Sequence, residues 1–497
     1  MGFEISPFLL LFVIGSYFAV LIGISYFTGK NIDNSKFFLA GKKSPWWLVA
    51  IGMIGSSLSG VTFMSIPGVV GGEGKNMAFS YMQIVFGYLA GYAAIVFILL
   101  PIYYRYQLTS IYGFLGSRLG NESRLTGSGF FIISRLIQSA FRLFLVAIVI
   151  QEFITGPWGL PFWLTVVITI ALIYIYTFKG GINTIIWTDP LQTFGMIGAV
   201  ILTIVYLSNS MDVSVSNLFG QVWSSDYSKI FFFEGGWKDP NNFYKQFLSG
   251  ALITIVMTGL DQDMMQKNLS CKRLVDAQRN MISYSLVLVP VNLLFLSMGA
   301  MLYMFSANYG IEVPVRTDEL YPTIALHHMP AIVGVIFVLG LTAAAYSSAD
   351  SALTALTTAF CVDFLGFRLE EKETQSNTLV RRGVHVAFAF LLGIIIILFN
   401  EMNDDAVITK LFDAAGYTYG PLLGLFVFSI ATKRQLRSRW VILICLVSPV
   451  ISYILNTNSV EWLNGFQFGF TIIALNGLIT FVGLLLASRK SIDPAAY

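Results

Sequence analysis

The sequence predicts an all-α integral membrane protein of about thirteen transmembrane helices, and three observations predict it. Of its 497 residues, 56% are hydrophobic and only 11% are charged, against about 25% charged in a soluble domain. Thirteen stretches are apolar over the roughly 20 residues that a bilayer crossing needs. Lysine and arginine collect on one set of the connecting loops. A soluble enzyme or a disordered scaffold could not hide so much apolar surface. Cys271, Cys361 and Cys445 lie too far apart for a disulfide framework and show no metal-ligand spacing.

In chain order the stretches are roughly 6–28, 45–70, 78–103, 126–152, 160–178, 184–208, 245–265, 280–306, 329–362, 382–400, 405–432, 440–457 and 466–488. The first follows MGFEIS without a basic region or a small-residue cleavage site, so it reads as a retained helix. Met1-Gly2 with Ser6 loosely fits a myristoylation pattern, which an outside N-terminus argues against. Of the 30 Lys and Arg residues, 22, Lys267 among them, fall in segments that are cytoplasmic if the N-terminus is outside, and 6 on the other side. That excess sets the expected orientation in a plasma (inner) membrane: N-terminus outside, C-terminus cytoplasmic.

Residues 1–44 then hold the first helix and an inner loop, 209–244 an outer loop, and 433–497 two peripheral helices with a short tail. Between them, 45–208 and 245–432 are two five-helix blocks that start on opposite sides, as inverted repeats do. Such transporters bind substrate where the first helix of each block is interrupted. The first block opens with Gly52, Gly55, Gly60, Pro67 and Gly68 among Ser56, Ser57, Ser59, Thr62 and Ser65. Backbone freed by a break at membrane depth must face protein, ion or water; close packing through small residues is the alternative. The second block opens with Gly250, Gly259 and Asp261-Gln262-Asp263. The loop sequence FFFEGGWKDPNNFY suggests a packed cap.

Polar groups inside the spans carry the functional reading, because burying them in a bilayer is costly. Ser347, Ser348 and Ser351 accompany Asp350 in the ninth stretch, and hard cations take such oxygens; hydroxyls bonding back to their own helix are the alternative. Asp189-Pro190 reads either as a helix cap or as an ion site. Arg135, Gln138, Ser139 and Arg142 share one helical face. Two readings of the arginines stand: a structural network with Asp189, Asp350 or Asp413, or reception of an anionic substrate. Gly416, Gly420, Asp413 and Tyr417 in the eleventh stretch fit a hinge or plain packing.

The segments FFLAGKKSPWWLVA, KGGINTIIWTDPLQ, LDQDMMQKNL, TAAAYSSADSALT and AAGYTYGPLLGLF, in that order, resemble the sodium/solute symporter family of sodium-coupled sugar, sialic acid, proline and monocarboxylate carriers. The resemblance implies a LeuT-like core of five plus five helices, with one helix before and two after. It implies a sodium site on the carbonyls of Gly55, Leu58 and Ala344 and the hydroxyls of Ser347 and Ser348. It also implies a second cation site on Asp189, Asp350 and Ser351, where Asp350 replaces an expected hydroxyl and leaves the ion count open. The galactose branch's polar contacts fall on Ser57, Val61 and Thr62, and its lysine near Leu288, so that pocket is not retained. LSGVTF resembles the sialic acid branch, giving Ser59 and Thr62 substrate contacts with an arginine that aligns between Arg135 and Arg142; Ser57, Gln83 and Asp261 complete the substrate candidates.

The expected function is a sodium-driven symporter of a small polar solute, leaning to an acidic sugar or another organic anion. It is expected to be no enzyme, to need sodium and the lipid bilayer, and to bind no nucleic acid. A proton-coupled carrier, a neutral-sugar carrier, a transporter-like sensor and a channel are the competing readings.

Overall fold

A computed structural model describes residues 7–30, 32–72, 76–368, 374–401, 407–436 and 438–489. Met1, Gly2 and Ser6, as well as Lys75, Lys372, Arg437 and Lys490 of the charge count, lie outside the described residues. Among the described residues the regular structure is helical apart from an antiparallel ribbon, in which Gln435–Leu436 pairs with Ser488–Arg489, and a single bridge between Ser44 and Cys271.

The helices follow the expected stretches. They are α1 (Pro7–Thr28), α2 (Trp46–Ser57), α3 (Gly60–Val69), α4 (Tyr81–Arg105), α5 (Asn121–Ile150), α6 (Phe162–Thr177), α7 (Ile182–Ser210), α8 (Phe243–Thr254) and α9 (Gln262–Leu269). There follow α10 (Leu274–Tyr309), α11 (Ala331–Ala359), α12 (Gln375–Asn400), α13 (Val407–Ala431), α14 (Ser438–Thr457) and α15 (Ile472–Ala487). Among the described residues ten helices are long and apolar enough to cross a membrane, or twelve if each bent pair is one span. The expected fifth span, α6, has only 16 residues. At 1.5 Å per residue it falls short of a ~30 Å hydrocarbon core, so the count of thirteen rests on a short helix.

Two spans are broken among the described residues, at the openings of the two expected blocks. Between α2 and α3 the chain bends by 53°. Leu58 (φ −82°, ψ 67°) and Ser59 (φ −70°, ψ 179°) leave the helical region there. Between the α8 segment and α9 the bend is 63°, and Asp261 caps the new helix by accepting from the Asp263 amide at 2.9 Å. A second helix start needs such an acceptor for its free N–H groups. Helices α4 and α8 cross so closely that a Cβ on Gly87 would stand 2.1 Å from the Phe247 carbonyl oxygen. Small residues make this approach available.

Two open alternatives narrow in the structure. Asp189-Pro190 is no helix start: α7 begins at Ile182 and runs unbroken through Pro190. Ring and neighbouring helices tolerate proline at membrane depth, so a proline inside an apolar run does not mark an end. In α13, Gly416 and Gly420 pack against Ile472 and Asn476 of α15, and Tyr417 accepts from Asn456 of α14 at 2.8 Å. The small residues of that helix serve packing against the peripheral pair, and the helix continues past Pro421.

Candidate functional site

A cavity opens at the α2–α3 break. Ser57, Ser59, Val61 and Thr62 line it from the break, Tyr81, Tyr88 and Tyr92 from α4, and Arg142 from α5. Thr258, Leu288 and Asn292 line it too, together with Ser56, Leu58, Arg135 and the apolar Ile253, Met257, Met264, Leu411 and Phe412. The three tyrosines recur at helical spacing, so one face of α4 presents them together. Their hydroxyls form two groups: Tyr81 bonds Tyr88 at 2.8 Å, and Tyr92 bonds Tyr284 at 2.7 Å, with Tyr284 on to Ser57. Leu288 and Val61 are apolar wall, where a galactose-type pocket would need polar groups.

The two arginines of α5 part company. Arg135 is buried and engages Asp263 directly, with Asp261 at 3.6 Å. Asp261 also accepts from the Tyr419 hydroxyl. This lock ties α5 to the second break and to α13. The partners expected for Arg135 were Asp189, Asp350 or Asp413; Asp261 and Asp263 take it instead, because the break points their carboxylates at α5. Asp261, read as a substrate contact, is committed to the lock and the α9 cap. Arg142 makes no salt bridge and no hydrogen bond among the described residues, and its Nε is buried without a partner. Two turns apart on the same helix, both arginines border the cavity, Arg135 paired with carboxylates and Arg142 without a direct partner.

Gln83 is corrected as well. It does not line the cavity: its Nε2 donates to the Asn241 carbonyl at 2.8 Å, and its Oε1 accepts from the Phe232 amide at 3.1 Å. It pins the 209–244 loop over the α4 end, as the packed-cap reading of that loop requires.

The oxygens read as a cation site adjoin the cavity where α2 meets α7 and α11, since Ser56 and Leu58 border both. A Cβ on Gly55 would stand 2.2 Å from Thr193 Oγ1, so glycine there lets α2 reach α7. The amide that would satisfy the Gly55 carbonyl belongs to Ser59, which is extended, so the last turn of α2 offers free carbonyls. Ser347 Oγ donates to Asp189 Oδ1 at 3.0 Å and lies 3.2 Å from Ser56 Oγ. Ser348 Oγ bonds back to the Ala345 carbonyl at 3.2 Å. Ala344 lies one turn before Ser348 on α11, and Leu58 sits at the break itself. Asp350, one turn from Ser347, accepts from the Tyr176 hydroxyl at 2.8 Å, while Ser351 Oγ is buried without a partner. Arg142 stands with the tyrosine-lined cavity and away from this acidic pair.

Lys267 was counted as a cytoplasmic loop charge, and that is wrong. It is buried in α9 and donates to Asp189 Oδ2 at 2.6 Å and to Ser56 Oγ. Sequence reading missed it together with Tyr419 and the tyrosine face, and named Ser56 and Asp263 without their partners. Signals existed: Asp263 and Lys267 stand four apart in a stretch that sits at membrane depth, and Tyr81, Tyr88 and Tyr92 share a helical face.

Comparisons with known proteins place this geometry. The family model for the sodium:solute symporter family matches residues 37–438. The sodium/sialic acid symporter SiaT of Proteus mirabilis is 23% identical over 430 residues, covering 84% of this chain and 82% of that protein. NanT of Aliivibrio fischeri, another sodium/sialic acid symporter, is 25% identical over 441 residues with the same coverage. Mouse sodium-coupled monocarboxylate transporter 1 is 25% identical over 419 residues, 82% of this chain and 66% of that protein. Among solved structures, a substrate-bound, outward-open sodium-coupled sialic acid symporter superposes with a TM-score of 0.80 at 19% identity, covering 97% of this chain and 99% of that one. The fold is thus that of the LeuT-like carriers.

Proposed function

The chain belongs to the sodium:solute symporter family, and from that premise we propose that it uses the sodium gradient to carry a small organic anion, an acidic sugar such as sialic acid, across the plasma membrane. The observation that carries the substrate reading is Arg142. A guanidinium in a membrane interior without a directly paired carboxylate is costly, and the cavity it borders carries hydroxyls at a helix break. A carboxylate arriving from outside supplies the missing charge through two parallel N–H···O bonds. Ser57, Ser59, Thr62, Asn292 and the tyrosine hydroxyls then meet the sugar's own hydroxyls. Arg135, already neutralised, positions the second break instead.

The sodium ion is assigned to the carbonyls of Gly55, Leu58 and Ala344 and the hydroxyls of Ser347 and Ser348, beside the negative charge of Asp189. Substrate and ion therefore flank the same broken helix, so occupancy of one alters the backbone that holds the other. The blocks at 45–208 and 245–432 form the repeats that move about it. The lysine and arginine excess supports an outside N-terminus, and removing Lys267 from the inner count leaves that excess intact. The test is uptake of radiolabelled sialic acid into proteoliposomes with and without an inward sodium gradient. Accumulation above equilibrium with sodium supports the reading, and equal uptake under both conditions ends it.

A further inference from the structure

The buried charges of the core pair unevenly. Arg135 takes Asp263 and Asp261, and Lys267 takes Asp189. Lys267 and Asp189 lie 78 residues apart in the chain, and both side chains are almost wholly buried. The ammonium reaches across from the half-helix α9, past the second break, to α2 and α7. There it finds a small oxygen set: both carboxylate oxygens of Asp189, the Ser56 hydroxyl and, 3.2 Å from that hydroxyl, the Ser347 hydroxyl. A carboxylate with two hydroxyls is what a hard monovalent cation takes from a protein. A lysine ammonium is a compact, strongly hydrated point charge on a flexible stem, the side chain that comes nearest to such an ion.

We propose that Lys267 is a tethered cation that competes with sodium for Asp189 and the Ser56 and Ser347 hydroxyls. The inference rests on the sodium-coupled reading above and adds what determines the ion's affinity. Ser347 belongs both to this oxygen set and to the assigned sodium site, so ion and ammonium stand within a few ångströms and repel. Sodium binds fully when the ammonium gives way, and the returning ammonium expels the ion. Because Lys267 stands on α9, the exchange also releases and recaptures the second broken helix from α2 and α7. In this way ion occupancy at the first break is felt at the second.

The experiment measures the sodium concentration for half-maximal uptake, and the sodium-induced rise in Tm of the purified protein, for wild type, K267Q, K267M and K267R. Removing the charge should lower half-saturating sodium about tenfold and enlarge the sodium-induced Tm rise, while K267R, which keeps the charge, should stay within about twofold of wild type. K267Q retains a donor for Ser56, so it reports if K267M fails to fold. An unchanged or raised half-saturation in a monodisperse K267Q protein overturns the proposal, because Lys267 would then be inert or a prop for the site. If wild-type uptake itself is indifferent to sodium, the proposed function falls and this inference with it. If wild type needs sodium and K267Q does not shift the requirement, only the role of Lys267 falls.

Discussion

Arg135 and Arg142 are chemically identical and seven residues apart on one helix, yet the structure gives them opposite fates. Removing one partner of a buried pair leaves an uncompensated charge and costs about 3–5 kcal/mol. Asp263→Asn or Arg135→Gln should therefore lower Tm substantially while leaving the preference for acidic over neutral solutes intact in whatever protein folds; a thermal melt beside a competition assay checks this. Arg142→Gln should do the reverse. Its Tm should hold or rise, since a cation without a direct partner is removed, while substrate affinity falls by about 30-fold or more, the ~2–5 kcal/mol of a truncated charge pair. At this scale the sequence was half legible. Helical spacing put both arginines on one face, and the price of a membrane cation marked them for attention. Their partners were not legible, because the Asp261 and Asp263 carboxylates reach α5 only through a chain break 126 residues away, and periodicity is silent across a break. Lys267 was misread for the same reason: beyond the break its helix has only 8 residues, too short for a pattern to separate a core lysine from a loop lysine.

At the scale of elements, the two broken spans carry the account. Gly55→Val should push α2 from α7, since even a Cβ would meet Thr193 Oγ1 at 2.2 Å, and the cation site spans that contact. We expect it to weaken sodium dependence more than it lowers Tm, whereas Gly87→Val, which drives a side chain into the Phe247 backbone, should chiefly destabilise the α4–α8 crossing by about 1–3 kcal/mol or more. Replacing Ser347 and Ser348 together by alanine should raise the half-saturating sodium about tenfold or more, equivalent to about 1.4 kcal/mol, with the fold preserved in circular dichroism. An unchanged sodium requirement in that double variant contradicts the site assignment. The first break was readable from its crowding of glycine and serine, and the second from Gly250, Gly259 and the aspartates. The span at 184–208 was legible, but Asp189-Pro190 left cap and ion site open, since a cap and a mid-helix proline in a membrane present the same dipeptide. Gln83 was misplaced because the path of a loop across a helix end leaves no trace in either partner's periodicity.

At the scale of the whole molecule, composition and loop charge sufficed for the class, and five ordered motifs sufficed for the family. What links them is an alternation of sign along the core: an anionic ion site closed by Lys267 and, adjoining it at the α2 break, a cationic cavity at Arg142. Under the proposed function, such a carrier takes up cation and anion together, and each stabilises the other's site across one interrupted helix. The measurement that tests this most directly is competition against sodium-driven uptake of sialic acid by a matched pair of inhibitors, the free acid and its neutral methyl ester, in wild type and Arg142→Gln. The account predicts that the acid competes at least tenfold more strongly than the ester in wild type, and that the difference disappears in Arg142→Gln. Equal competition by both in wild type, or an undiminished preference for the acid in Arg142→Gln, would contradict it.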